Sequence, residues 1–111
     1  MSTVYVVQST KFQADVSPAA VYGSVEFVLG PQDRTSHSPE VVLGKLRKGL
    51  KNFDPVEDYV LWAGGDPLSL MLVGTVLAEM GFSEWRYLRY ERGGGKNAES
   101  TPFYVPVKVR R

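Results

Sequence analysis

The chain of 111 residues reads as an α/β protein, a mixed five-stranded sheet with two helices in the order β-β-α-β-α-β-β. Three observations predict that class. Residues 59–63 (YVLWA) are continuously apolar, the mark of a strand covered on both faces and therefore central in a sheet. The run ends in Gly64-Gly65-Asp66-Pro67, a helix-start signal, and an almost wholly apolar helix follows to Met80. Both ends of the chain carry the two-residue alternation of strands. At this length we expect one domain over residues 1–111, a compact two- or three-layer sandwich.

Residues 3–8 (TVYVVQ) are β-branched and aromatic, with Tyr5 and Val7 on one face and Val4 and Val6 on the other. Polar residues and Ser17-Pro18 then predict a loop with room for one helical turn. Residues 21–29 alternate as a strand: Val21, Val25, Phe27 and Leu29 point one way, Ser24 and Glu26 the other. Gly30-Pro31 ends it. Ser38-Pro39-Glu40 starts a helix, since serine accepts from free N–H groups, proline fits the first position and glutamate suits the positive end. Val42, Leu43, Leu46, Leu50 and Phe53 recur every three or four residues and give that helix an apolar side.

In the second helix Leu68, Leu72, Val76 and Leu77 are expected in the core, each worth roughly 1.5–3 kcal/mol if fully buried. Leu70, Gly74 and Ala78 recur every four residues as a stripe whose small members permit close approach, read as packing within the domain in preference to a dimer contact, and Gly81 suits a left-handed C-cap. Residues 84–92 (EWRYLRYER) and 102–110 (PFYVPVKVR) form the last two strands around the loop GGGKNAEST. Pro106 cannot donate to a ladder, so the last strand belongs at an edge. Strand–helix–strand units make the middle three strands parallel. The first and last strands are expected to be antiparallel additions.

Composition narrows the function. Cysteine is absent, which excludes disulfides, thiolate metal sites and cysteine nucleophiles. The longest apolar run, within residues 70–78, falls short of the about 20 residues a membrane span needs. The N-terminal residues lack a signal-peptide pattern, so a reducing, cytoplasmic setting without a membrane partner is expected. Net charge is only +1, but it is segregated: −2 over residues 1–44, +4 over 45–51, −5 over 52–83 and +4 over 84–111. Two basic blocks on an acidic chain bear on partners, not on fold.

Four features carry candidate chemistry. The Gly64-Gly65-Asp66 turn is a candidate nucleotide or anion site, because backbone N–H groups at a helix N-terminus receive phosphates. It lacks the dinucleotide and P-loop patterns, and Asp66 is expected to cap the helix itself; Gly93-Gly94-Gly95-Lys96 also fails the P-loop pattern. His37 stands alone in a loop, and Glu57-Asp58 are adjacent carboxylates expected to cap a turn, so no catalytic residue, metal site or cofactor is expected. Lys45, Arg47, Lys48 and Lys51 form a basic helix face that is a candidate nucleic-acid contact alongside the hairpin, although its plainest reading is a solvated surface. The C-terminal hairpin interleaves Arg86, Arg89, Arg92, Lys96, Lys108 and Arg110 with Trp85, Tyr90 and Tyr104, a pattern suited to stacking on unpaired bases. Alternation puts Arg89 on the Trp85–Tyr87 face and Arg86 on the Leu88–Tyr90 face, which divides those cations.

The segments YVLWAGGDPLSLMLVGTVLAEMG, WRYLRYER and FYVPVKV together resemble small accessory proteins encoded by tailed bacteriophages. The resemblance covers residues 53–109. It implies a small accessory protein in the host bacterial cytoplasm and carries no functional residue with it; the residues themselves, lacking a catalytic constellation, predict no enzyme. Nucleic acid is the expected partner. A host protein, or a second copy pairing through the edge strand near Pro106, is the alternative.

Overall fold

The structure, a computed structural model, describes residues 2–9, 16–33, 38–92 and 102–110. Five strands form one sheet: β1 (Thr3–Gln8), β2 (Ser24–Leu29), β3 (Tyr59–Leu61), β4 (Glu84–Arg92) and β5 (Pro102–Arg110). Their spatial order is β2-β1-β3-β4-β5. Two α-helices, α1 (Pro39–Gly49) and α2 (Pro67–Glu79), accompany a 3-10 helix, η1 (Ser17–Tyr22). The α/β class and mixed five-stranded sheet therefore match the sequence reading, with β3 central and the Pro106 strand at an edge.

The first strand departs from expectation. β1 runs parallel to both β2 and β3, β3 parallel to β4, and only β4–β5 is antiparallel. The segment between β1 and β2 is thus a crossover containing η1, not a hairpin. Residues 21–23 belong to that connection, so β2 starts at Ser24 and Val21 stands 83% exposed instead of pointing with the strand. Crossovers in one sheet share a hand. The step from β1 to β2 moves in the opposite direction from β2 to β3 and β3 to β4, so η1 lies on the opposite face from α1 and α2.

Two cores result. On the α-helical face, Tyr5, Val7 and Val60 pack with Val42, Leu46, Leu50, Phe53, Val73, Val76 and Leu77. On the other, Val4, Val6, Tyr59, Leu61, Leu88 and Tyr104 pack with Val16 and Ala19. The apolar side expected for α1 is therefore the one buried.

α2 turns differently from its sequence reading. Ser69, Val73, Val76 and Leu77 are buried, whereas Leu68 is exposed and Leu72 only half-buried. An all-round apolar helix offers no contrast from which to read its rotation. Ser69 tolerates burial because its Oγ donates to Asp66 O at 2.6 Å. A Cβ added at Gly74 would meet nothing within 4 Å, so the small-residue stripe serves no close approach. Gly81 does sit in the left-handed region, at φ 88°.

Candidate functional site

In parallel sheets the carboxyl ends of the strands form the crevice where ligands bind, at the point where strand order reverses. Here that point lies between β1 and β3. Gln8 ends β1 and is 3% exposed. Its amide Nε2 donates to Gly30 O at 3.2 Å and to Asp33 O, while its Oε1 accepts from Asp66 N at 3.2 Å. Asp66 Oδ1 accepts from Leu68 N at 3.0 Å, and Ser69 N donates to Asp66 O at 2.9 Å. The amides of Asp66, Leu68 and Ser69, which an anion at this turn would use, thus have acceptors from the chain itself. Gly65, at φ 103°, lies so near Gln8 that a Cβ there would stand 2.3 Å from Oε1.

The crevice is further tied by Asp33, whose side chain is 9% exposed. Asp33 Oδ2 accepts from Gly30 N at 2.7 Å, and its Oδ1 pairs with Lys45. The Lys45 ammonium is the chief reason its carboxyl titrates below the usual value of 3.8, and burial works against that.

Beside this crevice, where β3 leaves the sheet, lies a cavity of about 380 Å³ lined by Trp62, Ala63, Gly64, Tyr87, Arg89, Tyr90 and Tyr104. β4 and β5 continue past the end of β3 and form its far wall. Trp62 Nε1 is buried with no hydrogen-bond partner among the described residues. Tyr90 is 41% exposed and meets Tyr104 edge-on at 5.8 Å between ring centroids. Burial pushes the Tyr87 hydroxyl above its ordinary value of 10.0, with a hydrogen bond to the Trp62 backbone acting the other way. Arg89 reaches Glu91 at 2.8 Å.

The structure thereby brings Gly64, from the glycine turn, together with Arg89, Tyr90 and Tyr104, from the hairpin. It does not bring the two basic blocks together. α1 covers one face of the sheet, whereas Arg86 lies on the other with its guanidinium 4.0 Å from the Tyr59 ring centroid. Lys108 and Arg110 share the Arg86 face, at 3.8 Å and 3.1 Å from Glu84. Arg47 forms a paired contact with Glu79 at 2.9 Å, and Lys45 is held by Asp33, while Lys48 and Lys51 are exposed. Trp85 packs against the α-helical core. Lys96 and His37 lie outside the described residues, as does the side chain of Arg92.

A family model, that of the Phage Pam3 gp32-like proteins, matches residues 2–109. The chain belongs to that family. No curated protein and no solved structure matches the chain significantly. Among its described residues no three His, Cys, Asp or Glu side chains converge as a metal site, and no helix is long and apolar enough to cross a membrane. Asp58, expected as a turn cap, is buried and accepts from Thr3 N at 2.9 Å and Asp54 N at 2.8 Å. Ser38 precedes α1, but its side chain makes no capping hydrogen bond.

Sequence reasoning passed over Trp62 and Gln8 as site residues. Trp62 was readable only as part of an apolar strand. Its position at the end of an apolar strand, with only Ala63 between it and Gly64-Gly65, was the available signal.

Proposed function

We propose that this phage protein is a non-enzymatic binder of single-stranded nucleic acid, acting in the host cytoplasm through the β3–β4–β5 strand ends. The observation that carries the reading is the cavity in which Trp62, Tyr87, Tyr90 and Tyr104 meet beside Arg89. Stacking of bases on such rings contributes about 1–3 kcal/mol per base. A duplex hides its base faces and is held mainly by phosphate contacts. Cations that are paired with acids and divided between two faces suit a duplex poorly, so the preference is for unpaired strands.

Fluorescence anisotropy with matched single- and double-stranded oligonucleotides at about 50 mM salt tests the reading. Tighter binding of the single strand, with a log–log salt slope of about −0.7 per phosphate neutralised, is expected. Absence of binding at tens of micromolar protein overturns it.

A second reading, a protein-interaction module, draws on one observation. The β2 edge carries Phe27 at 47% exposure and no proline, whereas the β5 edge carries Pro106, Lys108 and Arg110. Open apolar edges invite strand addition, and charged or proline-bearing edges resist it. A host protein retained stoichiometrically from a nuclease-treated bacterial lysate would support this reading. Loss of all retained protein on nuclease treatment would remove it.

A further inference from the structure

Arg86 presents an anomaly. It is half-buried, with its guanidinium 4.0 Å from the Tyr59 ring centroid, yet no acid pairs with it among the described residues. Burying a charge without a partner costs free energy. Its Nε is enclosed and unpaired, so that edge of the group faces the protein. The terminal nitrogens are not enclosed in this way, and Arg86 lines a cavity of about 240 Å³ with Pro55, Val56, Glu84 and Lys108. The strand register sharpens the anomaly: Arg86 stands directly opposite Lys108 on one face of β4 and β5, where like charges destabilise a sheet. Glu84, the neighbouring acid on that face, is shared by Lys108 at 3.8 Å and Arg110 at 3.1 Å. Three cations thus meet one carboxylate, and the group missing is an anion.

We propose that this cavity is a phosphate site: Arg86, its plane held against Tyr59, donates through its terminal nitrogens to the oxygens of a phosphodiester, and Lys108 adds a second charge. Arginine's planar fork matches phosphate oxygens, and a ring stacked on its face leaves the in-plane N–H groups free. The inference rests on the single-strand reading and adds where the backbone of the strand is held. Tyr90 is exposed on the same face of β4, four residues and about 13 Å farther along, so one bound strand reaches both. A cationic or apolar occupant would leave the excess positive charge unmatched. A protein carboxylate would match it but would make no use of the exposed Tyr90 ring.

The test is the salt dependence of oligothymidylate binding, followed by anisotropy in Arg86→Gln, Lys108→Gln and Arg47→Gln. Losing one phosphate contact should reduce the log–log slope by about 0.7 and weaken binding roughly eightfold at about 50 mM salt. That is expected of Arg86→Gln, with a smaller change of the same sign in the exposed Lys108→Gln, which spares the core. Arg47→Gln removes the same charge from the helical side of the sheet and should leave the slope unchanged. An unchanged slope in both Arg86→Gln and Lys108→Gln overturns the site and leaves the single-strand reading standing. An equal fall in Arg47→Gln also overturns it, since net charge alone would then explain the effect. Inorganic phosphate that moves the Arg86 Nε–H resonance, with no oligonucleotide bound, supports the anion site and overturns the single-strand reading. Arg86-dependent binding of a glutamate-rich peptide, with no oligonucleotide bound, overturns the phosphodiester as occupant.

Discussion

Two sites lie side by side at the carboxyl ends of the parallel strands, and they handle their polar groups in opposite ways. At the β1/β3 crevice, where doubly wound sheets usually take ligands, Gln8, Asp33 and Asp66 satisfy one another and the surrounding backbone. At the β3/β4 end, a cavity remains and the Trp62 indole N–H lacks a partner among the described residues. The same fold position is closed in one case by a buried amide side chain and left unfilled in the other. Fold-level precedent points to the first of these places, and the hydrogen-bond inventory points to the second.

Substitutions at the closed crevice should cost stability, and those at the cavity should cost binding. Gly65→Ala is expected to be the largest effect, about 3 kcal/mol by urea denaturation, because it combines a positive φ with a Cβ 2.3 Å from Gln8 Oε1. In a Gln8→Ala background that penalty should shrink, since the colliding atom is gone; full additivity would show that the two do not touch. Gln8→Leu should cost about 2 kcal/mol by taking the acceptor from the buried Asp66 N–H and a donor from the Asp33 carbonyl. Asp66→Ala should cost about 1 kcal/mol as a lost N-cap and leave oligonucleotide affinity unchanged. Trp62→Phe should alter stability by less than about 1 kcal/mol, because a smaller ring offsets relief of an unpaired donor.

The two sites should also fail at opposite ends of the pH scale. Lys45 lowers the Asp33 pKa, so its contribution is present above the ordinary value of 3.8 and is lost as pH falls through the lowered one. Burial raises the Tyr87 pKa, so its contribution is present below 10.0 and is lost as pH rises through the raised one. Lys45→Met should weaken the acid-side dependence without touching the alkaline one, as followed by thermal unfolding from acid to alkaline pH. The exposed Arg47–Glu79 pair, both of whose side chains are well solvated, should add the least to stability in any of these measurements.

Much of the fold was legible because local signals agreed with it. The apolar run at residues 59–63, the Asp66-Pro67 helix start and Pro106 each imposed a position that the sheet then used. The direction of β1 was not legible. Ser17-Pro18 in a polar stretch fits a loop as well as a crossover, and it is the shared hand of crossovers that puts η1 on the second face. The phase of α2 escaped for a related reason: without polar residues on one side, Leu68 and Val73 are equivalent until the sheet is placed. The site was half legible. Gly64, Arg89, Tyr90 and Tyr104 each drew notice, but their convergence depends on β3 ending while β4 continues. Basic blocks read from sequence lack faces, and here Arg86, Lys108 and Arg110 lie on the face opposite α1.

A chemical-shift map of the backbone amides and tryptophan indoles, titrated with oligothymidylate, tests the distinction between the two sites most directly. The account predicts shifts at the Trp62 indole, Gly64, Tyr90 and Tyr104, with the amides of Asp66, Leu68 and Ser69 unmoved. Shifts concentrated at Asp66, Leu68 and Ser69, with the Trp62 indole unchanged, would contradict it.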